Sequence, residues 1–239
     1  MKNKMKNKKA LAIHVEMILS FIIFVGFVIF LLAAFPVYKP SKSTLGLDAA
    51  ERGVSDYVSS NVKYFTVVLN KTVSKTCFCF ENNSGIDRVV AMDEHGGIIG
   101  SYYYNGLICI NDKEDFHSVY SSTEFREERF TGECENLDNT TRGYLIGLED
   151  DISMASYNKI ANLTKIYNTD YENLKNRMSI PAGEDFGFRV VDLKGREILN
   201  LSAMKNKPAK TQVSARSFPA QIVYENGSFV FAMINVQEW

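Results

Sequence analysis

Four cysteines are the residues of this chain with the clearest chemistry. Cys77 and Cys79 lie two residues apart, whereas Cys109 and Cys134 stand alone further along the chain. On an extended strand, Cys77 and Cys79 point to the same side, but a disulfide across a single residue is strained. Each is therefore expected to pair with a distant partner. Four cysteines allow three connectivities, and the spacing does not choose between them.

A zinc site and free thiols are the alternatives for the same four cysteines. One Cys-x-Cys with two single cysteines lacks the paired Cys-x₂-Cys spacing that is typical of zinc sites. Of the three histidines, only His117 lies near Cys109 or Cys134. Disulfides are the favoured interpretation, and the sequence predicts neither a metal nor a cofactor.

No catalytic constellation stands out in the chain. It lacks the Gly-x-Ser-x-Gly, His-Glu-x-x-His, Walker and Gly-x-Gly-x-x-Gly patterns. The acidic run Glu149-Asp150-Asp151 is explained better by acids at a helix N-terminus than by a metal site. We therefore predict that the protein is not an enzyme.

Asn-x-Ser/Thr sequons mark candidate glycosylation sites, which favours an exposed surface. The six candidates are Asn70, Asn82, Asn139, Asn162, Asn200 and Asn226.

Length, composition and net charge limit the class of protein to which these residues can belong. The chain has 239 residues, of which 46% are hydrophobic and 23% charged, so it is long enough for one or two folded domains and is not disordered as a whole. A formal net charge of −1 excludes a strongly basic nucleic-acid binder. A mean hydropathy of −0.13 excludes a membrane protein with many spans.

The N-terminus is strongly asymmetric. Residues 1–10 hold five lysines and no acid, and no charged residue occurs between Met17 and Phe35. About 20 apolar residues in a helix span a bilayer core, so the pattern predicts a transmembrane helix over residues 11–35 after a basic cytoplasmic leader over 1–10. The positive-inside rule then predicts a single-pass membrane protein with residues 36–239 outside the cell.

Glu16 lies near the start of this apolar stretch, where a carboxylate is unusual. Either it lies at the membrane interface without a role, or it pairs with a cation of a neighbouring subunit. The segment KKALAIHVEMILSFIIFVGFVIF resembles the N-terminus of archaeal type IV pilin-like proteins with a class III signal peptide. The residues that match are Lys8, Lys9, Ala10 and Glu16.

The resemblance implies a processing step and a subunit contact. A prepilin peptidase would cut after Ala10 or after Leu11. The carboxylate of Glu16 would then pair with the new α-amino group of the adjacent subunit. Members of the family usually carry this glutamate at the fifth mature position. A cut after Ala10 makes Glu16 sixth, whereas a cut after Leu11 makes it fifth.

The rest of the chain predicts an α+β protein. Apolar residues recur at helical spacing from Leu47 to Val62, which predicts a helix over about 45–61 within a stalk at residues 36–62. Residues 63–239 predict an extracellular head with an antiparallel sheet and an inserted helical segment over 151–178. Pro219 predicts an edge strand or a bulge, and the apolar residues 229–239 predict a strand that is either central or covered by the stalk helix.

Together these features predict a pilin-like, membrane-anchored structural subunit, major or minor, of a type IV pilus-like surface filament. Its expected partners are the membrane, other pilin-like subunits or itself through the N-terminal helix, and, by resemblance, a prepilin peptidase. No nucleic-acid partner is expected. The alternative is a single-pass surface protein whose ectodomain is a binding or adhesion module and does not polymerise.

Overall fold

The structure is a computed structural model with two compact units, residues 1–44 and Leu45–Trp239. It describes residues 20–21, 23–28, 45–70, 72–81, 88–128, 132–137, 143–206 and 212–239, without the side chains of Leu199 and Asn200. In the first unit the described residues are helical, and the large side chains of Phe21, Phe24 and Phe27 are exposed.

Within these described ranges, no helix is both long enough and apolar enough to cross a membrane. This finding contradicts the predicted transmembrane helix that continues into a stalk, and the single-pass membrane location that was based on it. Most of the predicted span, namely residues 11–19, 22 and 29–35, lies outside the described residues.

The second unit consists of thirteen described strands and three described helices. The helices are α1 (Leu45–Val58), α2 (Tyr157–Thr169) and α3 (Tyr171–Arg177). The strands are β1 (Ser59–Leu69), β2 (Phe78–Glu81), β3 (Val89–Met92), β4 (Ile98–Ile99), β5 (Ser101–Tyr104), β6 (Leu107–Ile110), β7 (Phe116–Ser121), β8 (Glu135–Asn136), β9 (Tyr144–Ser156), β10 (Phe186–Asp192), β11 (Glu197–Ala203), β12 (Ser214–Val223) and β13 (Phe229–Glu238).

Two sheets organise this unit. The larger has nine strands in the order β11-β10-β13-β12-β9-β1-β7-β3-β4, and the smaller has four in the order β5-β6-β2-β8. Most neighbours are antiparallel, but β12 pairs with β9, and β2 with β8, in parallel. Within the described residues, the strands hold many more residues than the helices. The α+β prediction with an antiparallel sheet is therefore wrong: the fold is mostly β, and its sheets are mixed.

Three apolar clusters hold the layers together. The first joins α1, α2 and α3 to β10, β12 and β13. The second lies between the small sheet and β1, β3 and β7, with Phe65, Phe78 and Phe80 fully buried. The third is smaller and centres on Val62, Phe125 and Val223. Because successive side chains of a strand point to opposite faces, Ile222 joins the first cluster while Val223 joins the third.

Helix α1 is part of this packed unit, which contradicts the predicted stalk helix. Its buried stripe Leu47, Ala50, Val54 and Val58 belongs to the first cluster. The helix ends at Val58 instead of about residue 61, because Ser59 already pairs with Ala155 of β9. The apolar spacing was therefore correct, but the stripe packs on the sheet of its own domain.

A lone glycine that weakens α1 as an isolated helix has a packing role. A side chain at Gly53 would overlap Met178, which follows α3. Arg216 of β12 binds the same helix through Asp48 and Glu51, with 2.8 Å between its Nη1 and Asp48 Oδ1. The close approach and these ion pairs hold α1 against the first cluster.

The predicted helical segment over 151–178 begins later in the structure. Residues up to Ser156 continue β9, which pairs with β1 from Leu69 back to Ser59. The Ser156 hydroxyl then accepts the Lys159 N–H and caps α2. Alternation of buried apolar and exposed polar residues, which is typical of a strand, is weak here because residues 145–151 are all exposed.

Candidate functional site

The four cysteines form two disulfides. Cys77 bonds Cys134, with 4.8 Å between their Cα atoms, and Cys79 bonds Cys109. Cys79 and Cys109 lie opposite each other on β2 and β6, while the other bridge lies beside the pairing of β2 with β8. The disulfide prediction is confirmed, and the fold selects one of the three connectivities. The sulfur atoms of Cys79, Cys109 and Cys134 lie within 4.8 Å of one another, but as disulfide sulfurs they are not thiolate ligands.

His117 on β7 is fully buried in the same region. Its Nε2 lies 3.2 Å from Asp112 Oδ2, and its ring centroid lies 5.2 Å from that of Phe78. Burial lowers the pKa of His117, and the nearby carboxylate of Asp112 opposes this effect without reversing it. The imidazole is therefore a neutral core group at neutral pH, and it has no open side for a substrate.

A second polar cluster surrounds Glu124. Its carboxylate accepts hydrogen bonds from Ser156 at 2.6 Å and Ser60 at 3.1 Å, and Lys159 Nζ lies 3.4 Å away. Burial alone would raise the pKa of Glu124, but these hydroxyls and the lysine charge together hold it below its ordinary value. Ser156 is buried and caps α2, so the cluster joins β1, β9 and α2 and offers no accessible nucleophile.

A third cluster links α3 to β10. The Tyr171 hydroxyl donates to Asp185 at 2.9 Å and accepts the Phe186 N–H at 3.0 Å, while Lys175 Nζ lies 3.3 Å from Asp185. Burial raises the pKa of Tyr171, and it raises the pKa of neighbouring Tyr167 to about 12. Both phenols therefore stay protonated and act as hydrogen-bond anchors.

Some of the N-terminal and glycosylation candidates lie within the described residues, and others lie outside them. The processing residues Lys8, Lys9, Ala10 and Leu11 and the pairing residue Glu16 lie outside the described residues. Among the sequons, the side chains of Asn70, Asn162 and Asn226 are exposed, although the Asn162 amide donates to Tyr57 Oη at 2.8 Å. Asn82, Asn139 and the Asn200 side chain are not described.

The acidic run does not cap a helix. Glu149, Asp150 and Asp151 lie in the middle of β9, and α2 begins six residues after Asp151. All three side chains are exposed. The explanation from a helix N-terminus is therefore wrong, and these acids form a negative strip on a strand.

The most accessible feature is the open edge of β9. One edge of this strand pairs with β1 along nearly its whole length. Within the described part of the chain, the other edge pairs only at Ala155 and Ser156, with Ile222 and Val223 of β12. Residues 145–154 therefore present a strand edge to solvent. Three apolar side chains lie on this stretch: Leu145 is 53% exposed, Ile146 43% and Leu148 75%.

A crevice opens where β9 and β12 separate. It has a volume of about 140 Å³ and is lined by Ser55 and Val58 of α1, Ser153 and Met154 of β9, and Pro219 and Ala220 of β12. The sequence does not reveal this edge, because its free side depends on where β12 lies. The signal that the sequence carries is an uncharged stretch with three apolar residues, Leu145, Ile146 and Leu148, directly before three acids.

Comparison with known proteins does not assign this arrangement. Neither a protein-family model, nor a curated protein, nor a solved structure matches the chain.

Proposed function

We propose that this chain is a pilin-like structural subunit of a type IV pilus-like filament. The observation that carries the proposal is the order of residues at the N-terminus. Lys8, Lys9 and Ala10 precede Glu16, and an uncharged apolar run from Met17 to Phe35 follows. That run supplies an apolar surface that neighbouring subunits bury against each other, and Glu16 supplies the anion for the neighbour's α-amino group.

Features of the folded unit support a structural role. Two disulfides brace the small sheet, and such bonds persist in oxidising surroundings outside the cytoplasm. The polar clusters around Glu124, Tyr171 and His117 are hydrogen-bonded into the core and do not converge on one cavity. A filament subunit needs this kind of rigid unit more than it needs a reactive site.

Mass spectrometry of the protein purified from its own cells tests the processing step. Loss of ten or eleven residues, with the apolar run retained, is the expected result. An intact N-terminus, or cleavage after the apolar run, would contradict the proposal.

Two substitutions of Glu16 test its contact with the neighbouring subunit. We expect Glu16→Ala and Glu16→Gln to abolish filaments while leaving the cellular level of the protein unchanged. Either change leaves the neighbour's amine without its anion in a poorly hydrated contact between subunits. Glu16→Gln is the closer control, because it keeps the size of the side chain and one acceptor. Normal filaments from both variants would refute the charge pairing.

A second candidate function is a binding module that does not polymerise. The observation that favours it is the open edge of β9, with its exposed apolar and acidic residues. Absence of filaments from cells that produce the unaltered chain, together with an uncut N-terminus, would favour this candidate over the filament subunit.

A further inference from the structure

We propose that the open edge of β9 is a docking site for an extended segment of another protein chain. The segment adds to the sheet as an antiparallel strand, with cationic residues at its N-terminal end and alternating apolar residues after them. The inference rests on residues 45–239 and does not depend on filament formation.

The backbone of β9 can accept a further strand. On either side of the bulge at Gly147 and Leu148, every second residue of β9 between Leu145 and Met154 points its backbone N–H and C=O away from β1, toward an edge that no described strand occupies. An exposed edge is a template for main-chain hydrogen bonds, and it is the element that strand-adding peptides use. Antiparallel pairing is the more stable choice per residue.

The edge of β9 is only partly protected against strand addition. Proteins block edges with charges, proline or bulges. On β9 the acids occupy only residues 149–151, and a bulge lies opposite Thr66, where the pairing shifts between Phe65 and Val67. The preceding stretch of Leu145, Ile146 and Leu148 is exposed and carries no charge. It offers apolar contacts to alternate side chains of an added strand.

Strand β9 rather than β12 is the acceptor. The Tyr224 N–H donates to the Ser228 carbonyl, so by alternation the even-numbered residues of β12 direct their backbone groups toward β13, and Pro219 lies on the crevice side, where it lacks a donor. The crevice ends where β9 and β12 meet at Ala155 and Ile222. An added antiparallel strand must therefore begin near Ser153, which limits how far it extends along β9.

The acidic residues of β9 determine which charges the docked segment must carry. In antiparallel pairing, the N-terminal end of the segment lies beside Glu149, Asp150 and Asp151, and its later residues lie beside Leu148 and Leu145. Cations therefore come first and apolar residues follow. Pairing of β9 with β9 of a second copy would bring the acids of both copies to one edge, which like-charge repulsion disfavours.

A synthetic peptide of sequence KKKTVTVTVT, added to the full-length protein, tests the docking site. We expect saturable one-to-one binding by calorimetry, and binding at least about tenfold weaker for EEETVTVTVT. Two further versions carry N-methyl groups on either the odd or the even residues. Only one edge of the peptide faces β9, so one methylated version should lose binding and the other should keep it. Equal binding of both would show electrostatic attraction without strand pairing and would overturn the proposal.

Matched variants locate the site. Leu148→Lys should weaken peptide binding at least about tenfold by placing a gatekeeper charge on the edge. Leu193→Lys is the control, because Leu193 is similarly exposed, at 73%, in the turn between β10 and β11. Asp150→Lys should shift preference toward the acidic peptide, and it keeps the test available if Leu148→Lys misfolds. Unchanged binding by both Leu148→Lys and Asp150→Lys, or self-association through β9 without peptide binding, would refute the site.

Discussion

At the scale of single residues, Gly227 is the position where the backbone and its surroundings both demand glycine. It has φ of +84° in the turn between β12 and β13, and an added Cβ would overlap the side chain of buried Val90. The left-handed conformation alone costs an L-residue about 1–2 kcal/mol. The turn therefore both closes a hairpin and packs against β3.

We expect Gly227→Ala to lower the free energy of unfolding by more than this backbone cost, because Val90 must also move. Gly195→Ala is the control, since Gly195 has φ of +79° but nothing within 4 Å of an added Cβ. Urea unfolding of both variants measures the difference. Equal losses of unfolding free energy in the two variants would show that the overlap with Val90 adds no destabilisation.

His117 gives the fold a pH dependence. Burial lowers its pKa in the folded chain, although the carboxylates of Asp112, Glu114 and Asp93 oppose the effect. The unfolded chain has the ordinary pKa of about 6.5, so it binds the proton first as the pH falls. Stability from this group is therefore complete above about pH 6.5 and is lost as the pH falls below it.

Urea midpoints measured from pH 7.5 to pH 5 should decrease for the unaltered protein and change less for His117→Gln. Exposed His95 provides the control variant His95→Gln, which should keep the decrease. The carboxylates with lowered pKa, Glu124, Asp185 and Asp192, lose their stabilising effect only below about pH 4.5, so they act outside this window. An unchanged slope in His117→Gln would assign the dependence to another group.

At the scale of elements, the disulfides hold a sheet that is too small to be stable alone. Strands β2, β5 and β6 of the small sheet have four residues each, and β8 has two. The bridges span 57 and 30 residues of chain, and loops of this length restrict the unfolded state by about 4 kcal/mol each in the entropic account.

The double variant Cys77→Ala/Cys134→Ala should therefore lose about 2–4 kcal/mol of unfolding free energy. Reductant should lower the melting temperature of the unaltered chain and have no effect on a variant that lacks all four cysteines. Resistance of the unaltered chain to reductant would show that the small sheet is held by its apolar cluster alone.

At the scale of the whole molecule, the nine-stranded sheet is continuous across Leu45–Trp239. Strand β9 pairs with β1 on one side and with β12 on the other. The half of the sheet that the helices cover and the half that packs on the disulfide-bonded small sheet are therefore joined through the central strands β9 and β1. Loss of either half would expose apolar surface of the other. Cooperative unfolding is the physical consequence.

We expect one unfolding transition in urea with the disulfides intact. Trp239 is the only tryptophan, and its backbone exchanges two hydrogen bonds with Asp185, so its fluorescence reports on the helix-covered half. Far-UV circular dichroism reports on all strands together. Coincident midpoints are the expected result, and two separated transitions would show that the halves unfold independently.

Features that depend on local chemistry can be predicted from the order of the residues. Leu107–Ile110 follows Asn105-Gly106, a strong local turn signal, and forms β6, and the apolar residues after Gly227 form β13, which lies between β10 and β12. Residue types were also enough to predict that the cysteines form disulfides. In each case the signal is carried by neighbours in the chain, so no distant contact is needed to read it.

Strand β7 shows why local chemistry is insufficient elsewhere. Its buried face includes His117, Val119 and Ser121, so two of three inward positions are polar and the alternation is hidden. Only a partner, Asp112 for the histidine, makes such burial acceptable. That partner becomes visible only when the chain is folded.

Tertiary structure alone decided the remaining features: which cysteines pair, whether α1 is a stalk or part of the core, and which edge of β9 stays open. Each depends on elements far apart in the chain, because α1 packs on strands that begin more than 100 residues later. An apolar stripe predicts that one face of a helix will be buried, but it does not predict which element will cover that face. The open edge of β9 has the same origin, since it exists only because β12 lies away from β9 on the N-terminal side of the contact between Ile222 and Ala155.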